Sequence, residues 1–383
     1  MKLLEYKAKE LFAKYGIPTQ NGIVINSLEN LKGKIQSIKF PVVVKAQVQV
    51  GGRGKAGGIK FADTEDEALE ICKSMLHSTL KGFKVNELYI VEKVSSIRQE
   101  CYLSIMLDRL SKMPMIIFSS NGGIDIEETA KTNPEKIIKM PIDPLMGIKE
   151  YTVRYMSIKS GLDICYFDQL FNVVKNLYTT FMEYDCLLAE VNPLVLTEDK
   201  RVIALDGKID IDDSALYRLP DIQEFREVLQ EEELVKEARK FKFLYIPVEE
   251  DGTVAVMSNG SGMIMSCIDL ISKEGIKVGA ALDLGGGATS DRIVEAVRIV
   301  LSNKNIKALF ITIFGGITRC DEVAGGVRKA MESQPDDKIV VIRIEGTNKG
   351  AGIEIIKQIK GEIIVVDSIR EGVIELVGRR NKL

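Results

Sequence analysis

The chain has 383 residues, of which 45% are hydrophobic and 28% charged, and its formal net charge is −3. That length is enough for two or three domains with a core each. A charge so close to zero does not favour nucleic acid or an anionic membrane surface as the main partner, and no apolar run is long enough to span a bilayer. The composition therefore predicts a globular protein with neither a nucleic-acid nor a membrane partner.

The cysteines and the single histidine restrict the chemistry further. The six cysteines are scattered, without a CxxC pair, and mostly stand beside apolar residues. This favours structural thiols in a reducing compartment, the cytoplasm. The amphipathic start carries acidic residues and resembles neither a signal nor a transit peptide. One histidine, His77, cannot build a multi-histidine metal site, and its pattern favours a surface or half-buried position on a helix.

In chain order, the first predicted element is a helix over about residues 4–15, which ends at a glycine followed by Pro18. Strands and helices then alternate to about residue 100, with a helix predicted over residues 64–80. A second mixed set of strands and helices fills about residues 100–217, with a helix near residues 168–184. The pattern is typical of mixed α/β units.

The next segment is highly charged and predicts one solvated connector helix over residues 222–241. After it, short apolar strands alternate with helical segments to the end of the chain. That alternation predicts a parallel, doubly wound sheet. We therefore divide the chain into two domains, residues 1–241 and 242–383.

The segment FPVVVKAQVQVGGRGKAGG, residues 40–58, predicts a loop that closes over phosphates. An apolar strand ends at Lys45, and the glycines that follow let backbone N–H groups approach an anion, while Arg53 and Lys55 add positive charge. It is not a P-loop, because Ala56 stands where that motif has the Ser or Thr that binds magnesium. The metal must therefore be held elsewhere.

The segment LLAEVNPLVLTEDKRVIALDGK predicts a β-hairpin with its turn near residues 198–199. Glu190 and Asn192 then share one face. Asn192 lies opposite residue 205 or 206, so Asp206 comes within about 5 Å of it. Amide and carboxylate oxygens suit magnesium, which takes its other ligands from phosphates and water. The alternative is a polar hairpin end that faces solvent, but the upstream loop without a metal ligand favours the metal site.

Three more charged residues are candidates for the same nucleotide pocket. Lys45 at a strand end would ordinarily be exposed and inert, but beside a phosphate loop we expect it to act as a point charge on a phosphate. Glu92 ends another strand, where it could accept hydrogen bonds from a base amino group or a ribose hydroxyl. Glu100 competes for that role, and spacing alone does not separate the two.

Three glycine loops mark the second domain: SNGSG at 258–262, LGGG at 284–287 and FGGI at 314–317. Each follows a predicted strand and precedes a predicted helix. Helix N-termini suit anions, and loops at the carboxyl ends of parallel strands form the ligand crevice. A tight turn also needs glycine, so one loop alone says little. Three together predict a common site for a carboxylate or a phosphate.

These segments, in this order, resemble the β subunits of succinyl-CoA synthetases, the nucleoside diphosphate-forming succinate–CoA ligases. The similarity covers nearly the whole chain and runs through LLEYKAKELFAKYGIP, QVQVGGRGKAGG, EVNPL, LDGK, SNGSG, LDLGGGAT, IFGGITRCD and RIEGTN. It implies an α/β fold, with an N-terminal ATP-grasp unit of two α+β subdomains and a C-terminal flavodoxin-like domain. The glycine loop would lie in the subdomain of about residues 20–100.

The resemblance also implies an activity and a partner. Succinate, CoA and a nucleoside triphosphate would give succinyl-CoA, a diphosphate and phosphate, reversibly, through phosphohistidine and succinyl phosphate in the citric acid cycle. This chain would bind Mg²⁺ and the nucleotide, and an α subunit would bind CoA and carry the phosphorylated histidine. Because His77 lies outside every motif, the reactive histidine must come from another chain. The direction of the reaction in the cell, and an αβ or (αβ)₂ assembly, stay open.

Matched to the family's motifs residue by residue, the chain has an implied set of site residues. The nucleotide would be bound by Lys45, Gly52, Arg53, Gly54, Glu92, Ser95 and Glu100. Magnesium would be held by Asn192 and Asp206, and the visiting histidine would be oriented by Glu190. The organic acid would be contacted by Asn259, Gly316, Ile317 and Thr318. The helix after Thr318 would point its N-terminus at the phosphohistidine.

Two positions depart from the family pattern or vary within it. Gln49 replaces a histidine often seen before the glycine loop. Gln20 stands where ATP-preferring members tend to carry proline and GTP-preferring ones glutamine. We keep ATP as the default nucleotide and leave GTP open.

Three other functions share part of this pattern. A β subunit of a malate–CoA ligase, or of another ADP-forming acyl-CoA ligase, would carry the same motifs. A non-catalytic nucleotide-binding subunit would not need the intact set of Lys45, Glu190, Asn192 and Asp206. An ATP-grasp carboxylate–amine ligase that works alone would leave the C-terminal glycine loops without a purpose.

Overall fold

A computed structural model describes residues 1–29, 31–50, 52–123, 126–333 and 338–383. The chain divides into two units, Met1–Leu229 and Gln230–Leu383, and each has its own buried cores. The functional domain limits of 1–241 and 242–383 stay a prediction. No helix among the described residues is long and apolar enough to cross a bilayer.

Two antiparallel sheets organise the first unit. Its α-helices are α1 (Glu5–Lys14), α2 (Leu31–Ile35), α3 (Glu65–Met75), α4 (Ile126–Thr132), α5 (Glu150–Lys159), α6 (Phe167–Glu183) and α7 (Pro220–Val228), with short 3₁₀ turns at Pro134–Lys136, Ile164–Tyr166 and Asp213–Arg218. Its strands are β1 (Gly22–Ile25), β2 (Val42–Ala46), β3 (Ile59–Ala62), β4 (Thr79–Leu80), β5 (Phe83–Lys84), β6 (Leu88–Glu92), β7 (Ile97–Asp108), β8 (Met113–Ser119), β9 (Ile138–Pro141), β10 (Cys186–Thr197), β11 (Val202–Ala204) and β12 (Gly207–Ile211).

The sheet order separates two α+β parts. One sheet has the order β1-β6-β2-β3, and the other has the order β11-β10-β7-β8-β9 with β12 also paired to β10. A small hairpin, β4-β5, follows α3. The apolar run of β2 is buried at every position, as expected for a β-branched strand covered on both faces. Two α+β subdomains are therefore present, as the resemblance implies.

Helix α1 is fixed by its apolar face. Ala8, Leu11 and Phe12 are buried in the core that α6 forms with the larger sheet. These positions recur at the spacing of one helical face. The packing places the first turn of α1 next to the strands that carry the glycine loop.

The helix predicted over residues 64–80 ends earlier, at Met75. His77 follows it with a left-handed φ of 66° and is exposed. The prediction of a helical position for His77 was wrong, because the chain turns there into the β4-β5 hairpin: the His77 N–H donates to the Val85 carbonyl at 2.7 Å.

The predicted connector helix over residues 222–241 was also wrong. The segment forms two helices, α7 and α8 (Glu233–Lys240), because Leu229 takes an extended conformation that ends α7. Helix α8 is not simply solvated, since Ala238 is buried in a core of the second unit. The compact units accordingly divide before α8.

The second unit contains one six-stranded sheet with helices on both faces. Its remaining helices are α9 (Ser261–Lys273), α10 (Ser290–Ser302), α11 (Cys320–Met331), α12 (Lys349–Ile356) and α13 (Ile369–Gly378), with a 3₁₀ turn at Arg380–Lys382. Its strands are β13 (Leu244–Pro247), β14 (Val254–Ser258), β15 (Val278–Asp283), β16 (Ala308–Gly315), β17 (Ile339–Gly346) and β18 (Glu362–Val365).

The strand order of this sheet confirms the predicted doubly wound architecture. The order is β13-β15-β14-β16-β17-β18, and every neighbouring pair is parallel except β13 with β15. Without the antiparallel edge strand β13, this is the flavodoxin-like order 2-1-3-4-5. The order reverses between β14 and β16, so the loops after these two strands border the crevice where such sheets bind ligands.

Candidate functional site

A cluster of buried charges joins the glycine loop to both sheets of the first unit. The Lys45 ammonium donates to Glu5 Oε1 at 2.6 Å and to the Leu205 carbonyl at 2.9 Å. The Arg53 guanidinium lies 2.9 Å from Glu5 Oε2 and 3.1 Å from Asp206 Oδ2. Three residues that the sequence singled out, Lys45, Arg53 and Asp206, therefore meet in one place.

The glycine loop is a tight connection between β2 and β3. The Arg53 carbonyl accepts from Gly58 N at 2.8 Å and from Ala56 N at 3.2 Å, so the backbone folds back on Arg53. Gly52 and Gly57 have φ values of 69° and 78°, which residues with a side chain rarely adopt. The loop's first glycine, Gly51, lies outside the described residues. The turn brings Arg53 back beside β2, where its NH1 also donates to the Ala46 carbonyl at 3.3 Å.

Two residues of this cluster were missed by the sequence analysis. Glu5 and Lys9 of α1 are only 3% and 1% exposed. They stand one turn apart, and Phe12 continues the same face into the core. Their helical spacing from a buried phenylalanine is the signal that could have identified them.

A chain of hydrogen bonds links the cluster to the predicted base pocket. Lys9 Nζ donates to Gln20 Oε1 at 2.8 Å and to the Leu205 carbonyl at 3.3 Å. Gln20 Nε2 in turn donates to the Glu92 carbonyl at 2.8 Å. The end of β6 at Glu92 is therefore connected to Lys45 through shared partners, whereas Ser95 and Glu100 are exposed.

The charges of the cluster control one another. Burial alone would raise the pKa of Glu5, but the positive charges of Lys45, Arg53 and Lys9 hold that pKa below its usual value. Burial, and after it the neighbouring Lys45, lowers the pKa of Lys9 to about 7, although Glu5 and Asp206 oppose the change. The site keeps Glu5 ionised and makes the charge of Lys9 costly.

Asn192 and Asp206 face each other across the predicted hairpin. The paired residues Val191–Gly207 and Leu194–Ala204 bracket them on either side. Asn192 Oδ1 accepts from Gly123 N at 2.8 Å, and Asp206 Oδ1 accepts from its neighbour Gly207 N at 2.8 Å. Both side chains offer hard oxygen ligands.

This pair fits an ion that needs few protein ligands. Among the described residues, no group of three His, Cys, Asp or Glu side chains could hold a metal. Magnesium needs no such cage, since it is commonly held by one or two protein oxygens together with phosphates and water. The donor set therefore fits magnesium, with Asp206 shared with Arg53 in this structure.

Glu190 is held by an aromatic hydroxyl. It lies half-buried on β10, and its Oε2 accepts from the Tyr102 hydroxyl of β7 at 2.8 Å. Tyr102 is only 4% exposed. A buried donor of this kind restricts the orientation of the carboxylate.

The glycine loops of the second unit are tied to one another at the carboxyl ends of the strands. Asn259 Nδ2 donates to the Phe314 carbonyl at 2.9 Å, and Phe314 N donates back to Asn259 Oδ1 at 3.1 Å. Gly287 N donates to the Thr318 hydroxyl at 3.0 Å. The three predicted loops thus converge.

Within these loops, the predicted contact residues differ in exposure. Ile317 is 88% exposed, whereas Thr318 is 2% exposed. Helix α9 begins within the SNGSG segment, at Ser261, while α10 and α11 begin a few residues beyond LGGG and FGGI, at Ser290 and Cys320. The buried hydroxyl of Thr318 joins two of the loops, so this side chain stabilises the conformation of the crevice.

Comparison with protein families gives two matches along the chain. The family model described as an ATP-grasp domain matches residues 2–196. The model described as a CoA-ligase matches residues 257–370. The order of the two agrees with the two units of the structure.

Curated relatives match almost end to end. The succinate–CoA ligase [ADP-forming] subunit β of Desulfatibacillum aliphaticivorans is 44% identical over 94% of this chain and 94% of its own length. Proteins of the same name from Persephonella marina and, as subunit β 2, Archaeoglobus fulgidus are each 40% identical over 97% of both chains.

A solved structure of ATP citrate lyase from Methanothrix soehngenii, in complex with citrate and coenzyme A, has a TM-score of 0.75. It covers 99% of this chain and 99% of its own, with 18% sequence identity. At this identity the match bears on the fold alone, and it agrees with the predicted fold class.

Proposed function

This chain belongs to the family of ADP-forming succinate–CoA ligase β subunits, and we propose that, with an α subunit, it makes succinyl-CoA from succinate, CoA and ATP, releasing ADP and phosphate. It is an enzyme subunit that takes part in forming an acid–thiol bond, and we place its reaction in the citric acid cycle. The observation that carries the proposal is the meeting of Lys45, Arg53 and Asp206 beside the glycine loop.

In the proposed first step, the first unit binds the nucleotide and presents its terminal phosphate. Lys45, Arg53 and the backbone of Gly52 and Gly54 contact the phosphates, since two cations and free N–H groups neutralise a polyphosphate. Glu92, Ser95 and Glu100 line the base and ribose. Asn192 and Asp206 would hold Mg²⁺, which neutralises charge on the phosphate oxygens.

Glu190 acts on the partner's histidine in this proposal. Its carboxylate, held by the Tyr102 hydroxyl, accepts the N–H of one imidazole nitrogen and so turns the other nitrogen toward the phosphate. The P–N bond forms as the bond from phosphorus to the ADP oxygen breaks. Positioning of this kind, rather than covalent chemistry by the protein, supplies most of the catalysis in phosphoryl transfer.

The second unit binds the organic acid. Asn259, Gly316, Ile317 and Thr318 surround the crevice at the reversal of strand order, where a carboxylate meets free backbone N–H groups. The N-terminus of α11 points its positive dipole end at the phosphohistidine. The succinate carboxylate then takes the phosphoryl group as the P–N bond breaks. The CoA thiol forms the thioester C–S bond as the acyl C–O bond of succinyl phosphate breaks and phosphate leaves.

The histidine must be supplied by the α subunit. This chain has one histidine, His77, which lies outside every motif and is exposed at the start of the β4-β5 hairpin region. The partner therefore contributes both the phosphorylated histidine and the CoA site. We propose a complex of αβ or (αβ)₂ composition in the cytoplasm, a compartment supported by the six free cysteines.

The test is ADP release that depends on succinate and CoA, measured with this chain alone and co-purified with its α subunit. We expect activity in the complex only. Activity of the isolated chain would instead indicate an ATP-grasp ligase that works alone. Malate in place of succinate, and GTP in place of ATP, are the matched substrate controls; a preference for malate would contradict the proposed substrate.

A further inference from the structure

We propose that Glu5 is a positioning residue of the nucleotide site: its carboxylate holds the Lys45 ammonium and the Arg53 guanidinium where they meet the phosphates. Glu5 belongs to α1, outside the glycine loop. The inference rests on the proposed function, because it assigns Glu5 to the nucleotide site of that reaction.

Each carboxylate oxygen of Glu5 serves one cation. Oε1 accepts a hydrogen bond from Lys45 at 2.6 Å, whereas Oε2 forms an ion pair with Arg53 NH2 at 2.9 Å without the alignment of a hydrogen bond. The side chain is 1% exposed, so water cannot replace either partner. An ionised carboxylate at such a depth is tolerated only when its charge is paired, here by two cations. Glu5 therefore fixes the separation between a strand residue and a loop residue.

The place of Glu5 is itself set by the core. Glu5 is the first residue of α1, where a negative charge is favoured by the helix dipole. One and two turns further on, Ala8, Leu11 and Phe12 anchor the helix with at most 4% exposure. The carboxylate is thus presented by a rigid element, which is what precise placement of a binding group requires.

Glu5 becomes more important when the nucleotide binds. Arg53 has two acidic partners in this structure, Glu5 and Asp206. If Asp206 turns to a metal ion, that ion competes with the guanidinium for the same oxygens. Glu5 is then the remaining acidic anchor among these contacts, and it keeps Arg53 directed at the phosphates while Asp206 changes partner.

The experiment compares Glu5→Gln, Glu5→Asp and Glu10→Gln in the complete complex. Glu10 lies on the same helix, but its side chain is 55% exposed and forms a surface ion pair with Lys7 at 2.8 Å. Glutamine keeps the shape of Glu5 yet turns an amide donor toward one of two cations. Aspartate keeps the charge but withdraws it by one methylene.

We expect Glu5→Gln to lower kcat by about tenfold to a hundredfold, the scale of a small misplacement of reacting groups. The KM for ATP should rise several-fold while the KM for succinate stays unchanged. Glu5→Asp should recover thermal stability without recovering kcat. Glu10→Gln should match the wild type in all respects.

Recovery of both stability and kcat by Glu5→Asp would overturn the proposal, because it would show a purely structural charge. So would a Glu5→Gln variant with wild-type kcat. An inactive wild type would overturn the proposed function instead. In that case the rise in Tm caused by Mg·ATP tests the role of Glu5. We expect a smaller rise for Glu5→Gln than for the wild type. Equal rises in the two proteins, or no rise in either, would overturn the proposed role of Glu5.

Discussion

Asp206 forms an ion pair with the Arg53 guanidinium in this structure, and the proposed reaction requires the same carboxylate to bind a metal ion. Its side chain is 27% exposed at the edge of the cluster, although burial and the charge of Glu5 raise the pKa of its carboxyl. The Glu5 side chain is only 1% exposed. A carboxylate at the edge can exchange one cation for another without burying an unpaired charge. The residue thus suits an exchange of ions, and Glu5 suits a fixed support.

We expect Asp206→Ala to abolish nucleotide turnover while the complex with the α subunit still assembles. The substitution removes the only carboxylate of the proposed magnesium pair and leaves Asn192 alone, which cannot neutralise the charge of the ion. ATP-dependent phosphorylation of the partner and size-exclusion chromatography together measure the two outcomes. Full activity of the variant would contradict the magnesium assignment.

Tyr102→Phe should reduce kcat by about tenfold, the value of a hydrogen bond to a charged group. The change removes one hydroxyl and leaves the ring, so Glu190 loses its 2.8 Å donor with little change in packing. Steady-state kinetics of the complex checks this. Tyr217→Phe is the matched control, because its ring is 78% exposed; equal effects of the two variants would remove the reason for assigning Tyr102 to Glu190.

The pH dependence of stability should reveal Lys9. Its pKa is about 7 in the folded chain against 10.5 for an ordinary lysine. Between these values the unfolded chain binds more protons, so this residue makes the free energy of unfolding rise with pH, by at most about 1.4 kcal/mol per pH unit. Below pH 7, Lys9 is charged in both the folded and the unfolded chain, and the full destabilisation caused by burying its charge is present.

Urea unfolding of the wild type and Lys9→Met between pH 6 and pH 10 measures this contribution. The difference in unfolding free energy, wild type minus variant, should increase with pH. Parallel curves would show that the residue keeps an ordinary pKa in the folded chain.

At the scale of elements, the ends of strands β16 and β17 leave no room for a side chain between two paired glycines. Gly315 and Gly346 are paired residues in the parallel ladder, and Thr347 N donates to the Gly315 carbonyl at 3.2 Å. Gly346 has a φ of 112°, and a Cβ there would overlap the Gly315 carbonyl. The FGGI loop starts at this contact, so its shape depends on glycine at a position far away in sequence.

We expect Gly346→Ala to lower the free energy of unfolding by about 3 kcal/mol or more, since both conformation and space exclude a side chain. Gly350→Ala is the control: this residue lies in α12 with open space where a Cβ would stand, so stability should be unchanged or up to about 1 kcal/mol higher. Chemical denaturation measures both. Similar stabilities for the two variants would refute the account of the β16-β17 contact.

Elements were predicted well where a local pattern decides them. The turn near residues 198–199 was enough to set the register that places Asn192 opposite Asp206. The prediction of one solvated helix over residues 222–241 was wrong because the few apolar residues of the segment, and not its many charges, decide the packing of α8. The positions of Glu5 and Lys9 in the site were not predicted for a related reason. The partner of Glu5, Lys45, lies 40 residues away in sequence, and the partner of Lys9, Leu205, lies 196 residues away. No local pattern indicates contacts at that range.

At the scale of the whole molecule, the two units build their candidate sites with different architectures. Antiparallel sheets of the first unit bring charges from distant segments into one buried cluster. The parallel sheet of the second unit gathers backbone loops along one edge instead. The alternation of apolar strands was enough to predict the second arrangement, whereas the first depends on tertiary contacts.

The rates at which the six cysteines react with a thiol reagent should follow how exposed each thiol is. Five are buried, and only Cys165 is partly exposed. Burial raises the pKa of Cys72 to about 11 and that of Cys101 and Cys267 to about 12, which leaves little thiolate to react. Burial and the neighbouring Asp163 also raise the pKa of Cys165, so its greater exposure is what sets it apart. A colorimetric thiol reagent should therefore modify Cys165 faster than the other five cysteines in the native chain, and all six in urea. More than one fast thiol in the native chain would contradict the structure.

His77 lies exposed in a left-handed turn just after α3. As the only imidazole of the chain, it makes the isolated subunit almost blank in the histidine region of a proton NMR spectrum, with a single C2–H line. Every further line in the assembled complex then arises from the other subunit. A chemical shift change of one of these lines on adding ATP is then assigned to that subunit without isotope labelling, once the adenine C2–H and C8–H lines of ATP are identified from a sample of the nucleotide alone. The His77 line serves as an internal reference within the same sample.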